Sequence, residues 1–257
     1  MSGVALALRQ ARFTNRAFWR NPASAFFTFA FPLMFLVIFT SLFGNSNTQV
    51  LPGVTVKTST FYVAAMSAFA VISACYTNIA ISICFQREAG ILKRVRGTPL
   101  PPSSYLAGRV IHATIVAFIL VFIDAVFGRL LYDAAIPTRT LPALIVTVIV
   151  GAASFAALGL AVTALVPNAD AAPPVVNVSI LPILFLSDIF IPTANAPTWV
   201  LWVGRIFPVR HFAEAMQGAY FSPAGLGFNW GDLAVVAAWG IAGLLLAIRF
   251  FSWEPRK

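Results

Sequence analysis

The fold class that the sequence predicts is all-α: a polytopic membrane protein whose apolar segments cross a bilayer about six times. Three observations predict it. Of 257 residues, 60% are hydrophobic and 10% charged, against about 25% charged in soluble domains, so polar residues are too few to cover a soluble surface. Mean hydropathy is +0.87, and the apolar residues fall in blocks near the ~20 residues that cross a hydrocarbon core about 30 Å thick. The net charge of +9 sits mainly in short segments flanking those blocks, a pattern that encodes membrane topology rather than nucleic-acid binding. One membrane domain over residues 1–257 is expected.

At the N-terminus, Arg9, Arg12, Arg16 and Arg20 recur at helical spacing, with Val4, Ala7, Ala11 and Phe18 on the opposite face. Residues 1–22 therefore read as an amphipathic helix on the membrane surface, its apolar face in the interface and its arginines on lipid phosphate. A topological anchor and a contact for a cytoplasmic partner both fit that pattern. The apolar run that follows exceeds the ~7–15-residue core of a cleaved signal, and no small-residue cleavage site ends it. It is expected as a retained first span.

The expected spans are residues 23–44, 61–85, 106–131, 141–166, 171–191 and 233–251. An even number puts both termini on one side. The N-terminus, the 86–104 connection and the C-terminus carry Lys93, Arg94, Arg96, Arg249, Arg256 and Lys257, so by the positive-inside rule these segments are cytoplasmic. Lys57, Arg139, Arg205 and Arg210 form a weaker, scattered set on the opposite side. Trp19 and Trp253 fall at the inner boundary and Tyr132, Trp199, Trp202 and Trp230 near the outer one, as interfacial aromatics do. Cys75 and Cys84 share one apolar block and, nine positions apart, stand about 13 Å apart along a helix, too far to bridge.

The fifth span is irregular. Pro173, Pro174 and Pro182 interrupt it, and Pro182 removes the amide that would bond the Val178 carbonyl, so a kink is expected. Freed backbone groups at membrane depth need protein or water, and this span should face a partner helix or a cavity.

The connection between spans two and three, residues 86–104, reads as a short helix. Glu88 near its start and Lys93, Arg94 and Arg96 near its end complement the helix dipole, Gly97 caps it and Pro99 stops it. Ile91, Leu92 and Val95 give an apolar contact face. Pro99, Pro101 and Pro102 then lead stiffly to Ser103 and Ser104, which can cap span three. A helix held this way can pass displacement to the spans on either side of it.

The residues here resemble the permease subunits of type-2 ABC exporters, the ABC-2 type, whose pattern is Arg-Glu-x-Gly-x-Leu-Lys-Arg-x-Arg-x-Thr-Pro-Leu with a downstream Tyr-Leu-x-Gly. This chain carries Arg87, Glu88, Gly90, Leu92, Lys93, Arg94, Arg96, Thr98, Pro99, Leu100, Tyr105, Leu106 and Gly108. The resemblance implies a coupling helix that docks onto an ATPase subunit, with Arg87, Glu88, Gly90, Leu92, Lys93, Arg94, Thr98 and Pro99 as its coupling residues. After span five, Phe185-Leu-Ser187, Pro192, Pro197, Trp199, Phe207-Pro208 and His211 resemble the family's extracytoplasmic segment, which implies short re-entrant helices within residues 192–230. Asp188 stands where the family usually has glycine, a departure that leaves open both the local backbone geometry and the substrate.

Asp124 in span three and Asp188 near the outer end of span five should face protein or water, with Arg129, Arg205 or Arg210 as ion-pair partners and a proton relay as the alternative role. His112, one turn from Arg109, is expected as a satisfied interfacial imidazole. His211 and Glu214 share a helix face, but a catalytic zinc takes three protein ligands, so no metal, catalytic or cofactor site is expected. No Gly-x-x-x-x-Gly-Lys-[Ser/Thr] phosphate loop occurs. ATP and Mg would be held by separate ABC ATPase subunits.

Together these features predict a multi-pass permease of the cell membrane that pairs with a second copy or a paralogue. The resemblance implies export of hydrophobic drugs, lipids or lipid-linked glycans, and thereby multidrug efflux or antibiotic resistance. The rival reading is an ion-gradient-driven secondary transporter or channel without an ATPase.

Overall fold

The computed structural model describes residues 2–44, 46–51, 54–192, 196–222 and 225–254. Arg256 and Lys257, used above to orient the chain, lie outside them. The centre of the bundle is α3 (Thr58–Ile72), in which every residue is buried. A helix that is apolar on all sides has no face to give to water and belongs in the interior. A π-helical turn (Ser73–Thr77) joins it to α4 (Asn78–Glu88), and the whole run Thr58–Glu88 is one 31-residue apolar span.

Around this axis stand α2 (Pro22–Phe43), α6 (Pro102–Tyr132), α7 (Leu141–Val162) and α11 (Trp230–Phe250). Asn21 caps α2 by accepting from the Ser24 amide at 3.2 Å, and Pro22 takes the first helical position, where its missing N–H costs nothing. An aromatic column binds α2 to α3. Phe35 meets Phe69 at 5.8 Å, Phe39 stacks on Tyr62 at 5.4 Å, and Phe190 inserts 5.5 Å from Phe35. The other face of α2 exposes Phe26, Phe27, Phe31, Met34 and Leu42. Small residues let α7 and α11 approach closely: a Cβ on Gly240 would stand 2.8 Å from the Ser154 Cα, and one on Gly243 3.0 Å from the Leu158 amide nitrogen.

Among the described residues five helices are long and apolar enough to cross a membrane, and the protein is an all-α polytopic membrane protein. The expected fifth span is not one continuous helix over 171–191. Its helix, α8 (Ala172–Phe185), has 14 residues, about 21 Å at 1.5 Å per residue, and turns follow it as far as Ile191. Pro173 and Pro174 do not interrupt α8. They occupy its first turn, where amides have no intrahelical partner to lose, and only Pro182 lies inside. Two shorter helices follow, α9 (Thr198–Ile206) and α10 (Pro208–Phe221). Phe212 of α10 packs on Gly151 and Phe155 of α7, about 15 Å along α7 from its start, whereas Thr140, just before α7, donates to the Ala219 carbonyl. α10 thus climbs from mid-bundle to one end.

That end also carries an unexpected antiparallel ribbon, β1 (Asn47–Leu51) with β2 (Val54–Lys57). Lys57 reaches Asp133 at 2.8 Å, and Arg129 reaches the same carboxylate at 2.5 Å. Asp133 closes α6 with φ 51°, a left-handed conformation that Asp and Asn tolerate. The hydrogen bond from Lys57, then the charges of Lys57 and Arg129, hold the Asp133 carboxyl below its ordinary range. A lowered folded pKa gives stability that is present above the ordinary carboxylate value and is lost as pH falls through the lowered one. Asp133→Asn keeps the turn and removes the charge. The variant is expected to melt slightly earlier than the wild type above about pH 5, and the difference should shrink as pH falls through the lowered carboxyl value, read from unfolding midpoints across that range.

Candidate functional site

The end of the bundle opposite the ribbon gathers the basic segments. α4 ends at Glu88, Gly90 turns the chain with φ 70°, and α5 (Ile91–Arg96) follows at once. The turn needs glycine for its φ and not for space, because nothing lies within 4 Å of a Cβ placed there. Glu88 is therefore the last residue of α4 and not part of the first turn of α5. The Gly97 amide bonds the Lys93 carbonyl at 3.2 Å, and the Thr98 hydroxyl donates to the Val95 carbonyl at 2.7 Å. Pro99 and Pro101 then stiffen the link, and Pro102 opens α6 at its first position.

The predicted coupling residues divide into two groups. Glu88, Lys93, Arg94, Thr98 and Pro99 are exposed, as are Ile91 and Arg96, and they form one basic surface. Arg87 and Leu92 are not on it. Leu92 is fully buried and pins α5 to the core. Arg87 is 1% exposed and donates to the Thr163 carbonyl at 3.1 Å and to the Val166 carbonyl at 2.6 Å. The Thr163 carbonyl caps α7, where the helix dipole presents partial negative charge, and Val166 lies in the turn just beyond it. The guanidinium therefore ties the base of α5 to a second helix.

Two more ties complete the mounting. The Tyr105 hydroxyl donates to Gln86 Oε1 at 2.5 Å, linking α4 to α6. Gly108 lies under α1 (Gly3–Trp19): a Cβ there would stand 2.9 Å from the Ala7 carbonyl oxygen. Ser104 does not cap α6 as expected; buried, it donates to the Gly3 carbonyl at 3.1 Å. α1 is amphipathic, but its face is split. Ala7 and Ala11 are buried, α1 packs along α6, and Val4, Leu8, Phe13 and Trp19 stay exposed. Arg9, Arg12, Arg16 and Arg20 are all exposed, which widens the basic surface around α5.

At mid-bundle, Asp188 has φ 56°, a left-handed conformation that favours glycine and that aspartate tolerates. Its carboxylate meets Arg210 at 3.2 Å, and Arg210 also holds Glu214 at 2.8 Å. Among the described residues Asp124 has no such partner. It is fully buried and neither carboxylate oxygen is hydrogen-bonded, while Arg129 is committed to Asp133 and Arg205 is exposed on α9. His112 is likewise not satisfied: it is buried with Nδ1 unpartnered, its ring 5.3 Å from Phe18. His211 does gain the third group that its spacing with Glu214 lacked. His211 Nδ1 lies 2.6 Å from Asp232, and ligand atoms of His211, Glu214 and Asp232 lie within 4.8 Å of one another. Each already has a partner, since Glu214 is paired with Arg210 and His211 Nε2 lies 3.0 Å from the Arg205 carbonyl oxygen. The set reads as an ion-pair chain that fastens α10 to α11.

A stiff basic helix mounted on buried anchors, within a bundle of this layout, is what the comparisons with known proteins bear on. The family model described as ABC-2 type transporter matches residues 7–221. The chain belongs to the ABC-2 type transporter family. The permease is 27% identical over 153 residues to the "Probable multidrug ABC transporter permease YbhR" of Escherichia coli K12, a match covering 60% of this chain and 41% of that protein. It is 23% identical over 186 residues to the transport permease YvfS of Bacillus subtilis 168, covering 72% and 74%. It is 23% identical over 227 residues to the transport permease ycf38 of Porphyra purpurea, covering 84% and 76%. The match thus spans well under half the length of the Escherichia coli relative.

Proposed function

We propose that this ABC-2 permease is the membrane half of an ATP-driven exporter, and that the exposed surface of α5 receives the stroke of a separate ABC ATPase bearing ATP and Mg. The observation that carries this reading is the mounting of α5. A surface that only anchored the chain would need its charges and nothing more. Here Arg87, Leu92 and Tyr105 fix the segment to α7, the core and α4, so a push on Glu88, Arg94 or Pro99 moves several helices together. In this reading both termini and α5 face the cytoplasm. α8 with its following turns makes the sixth crossing, and α9 and α10 re-enter from outside. The lipid-facing aromatic side of α2 offers a seam for a second copy. Cargo is hydrophobic or amphipathic, in keeping with the word multidrug in the name of the Escherichia coli relative.

The test uses vesicles holding the permease and its cognate ATPase. Glu88→Lys is expected to abolish cargo-stimulated ATP hydrolysis while leaving the unfolding free energy within about 0.5 kcal/mol of wild type, as exposed sites do. Unchanged stimulation would sink the assignment of α5. The gradient-driven rival rests on buried, unpartnered Asp124. Transport that follows an ion gradient without ATP and dies in Asp124→Asn would favour it.

A further inference from the structure

A cleft of about 540 Å³ lies between the α1–α2 junction, the π-helical turn with α4, and α6, a size within the ~300–1,000 Å³ of small-ligand sites. Its polar lining is rich in donors: Arg109, His112, Asn21, Asn78 and Gln86. Among the described residues no carboxylate lines it, and Arg109 is in no ion pair. The guanidinium donates from NH1 to Ser82 at 2.9 Å and lies over the Tyr105 ring, 5.7 Å from its centroid. Its Nε is buried without a partner, and so is Nδ1 of His112, a residue only 7% exposed. The opposite wall is apolar, with Phe18, Phe85 and Val116.

Arg109 stands seven residues into α6, about 10 Å along the helix axis, and an arginine at such a place takes an anion or an acidic side chain as its partner. Its fork of donors suits phosphate. We propose that this cleft binds the phosphate-bearing headgroup of an anionic amphipathic lipid, with Arg109 as the charged contact, His112 and the amides as hydrogen-bonding partners, and the Phe18–Phe85 wall against the lipid's apolar part. The assignment names a cargo or resident-lipid class for the permease. It rests on the proposed orientation only for which leaflet supplies the lipid.

The permease alone, without an ATPase, is reconstituted in phosphatidylcholine with phosphatidylglycerol, and the lipids retained after extraction are counted by native mass spectrometry. Wild type is expected to retain phosphatidylglycerol about tenfold above its bulk share, as one charge-assisted contact allows. Arg109→Gln and the cleft-filling Ala113→Phe should both lose that excess. Arg109→Lys should keep part of it, and Arg16→Gln, on the exposed α1 face, all of it. Displacement of the lipid by glycerol phosphate would support the same phosphate chemistry and assign a soluble source. Equal retention of both lipids, or an excess untouched in a folded Arg109→Gln or Ala113→Phe protein, would overturn the proposal. Because no ATP is present, either result leaves the coupling test at Glu88 to stand or fall separately.

Discussion

Arg87→Leu is expected to destabilise the permease by about 3 kcal/mol, since two buried carbonyls lose a charged donor worth roughly 1.5–3 kcal/mol each. The Thr163 carbonyl lies at the end of α7 and that of Val166 in the turn just beyond it, both away from solvent, and the Arg87 guanidinium is the group that reaches both. Leucine fills part of the space and offers no hydrogen. Arg87→Lys supplies a charge but not the planar fork, so it should fall between the two. The measurement is the unfolding midpoint in detergent, with Arg94→Leu as the contrast. Arg94 belongs to the same basic run but is exposed, so its loss should leave the midpoint nearly unchanged and act on ATPase stimulation instead. If Arg87→Leu melts like Arg94→Leu, the tie between α4 and α7 is not holding the bundle.

The second large effect is expected at Gly159. A Cβ there would stand 2.7 Å from the Tyr76 carbonyl oxygen and 3.1 Å from both the Cys75 carbonyl oxygen and the Tyr76 Cα. All three are backbone atoms of the π-helical turn, so no side chain can rotate away and the helices must separate. Overpacking of this kind costs about 1–3 kcal/mol for a single methyl and more for a branched chain. Gly159→Val is therefore expected to lower the midpoint more than Gly159→Ala. Both should also loosen the Tyr76–Ser179 hydrogen bond, 2.7 Å between hydroxyls, that joins this turn to α8. Accessibility of the buried Cys75 thiol to a maleimide reads the separation directly. Unaltered labelling and melting in Gly159→Val would show that α7 does not press on the turn as described.

Much of the segment around α5 was legible because local chemistry wrote it. Gly90 at a left-handed turn, Gly97 and Thr98 at the end of a six-residue helix, and the prolines before α6 act through their own backbone. The roles within it were not. Arg87 and Arg94 sit in one basic run, and spacing cannot separate them, because what sends Arg87 inward is the end of α7, more than 70 residues away. His211 gives the same lesson. Its helical neighbour Glu214 was visible, but Asp232 lies on another helix and no periodicity connects them. Asp188 is a related case: the sequence left its backbone open, and the structure places it in the left-handed region that aspartate tolerates, paired with Arg210 from another helix.

By itself the sequence determined that this is an all-α membrane protein, where most of its spans lie, and that a basic, proline-stiffened helix joins two of them. Each of those follows from hydropathy, helix length and turn chemistry, which are properties of contiguous residues. The tertiary structure alone decided that α3 is buried on every side, that α8 is too short to cross by itself, that Arg87 and Leu92 anchor rather than face outward, and that Arg109 and His112 share an acid-free cleft. Those outcomes depend on which distant backbone carbonyls, glycines and rings come within a few ångströms, and contact between helices is a property of packing that no local pattern carries.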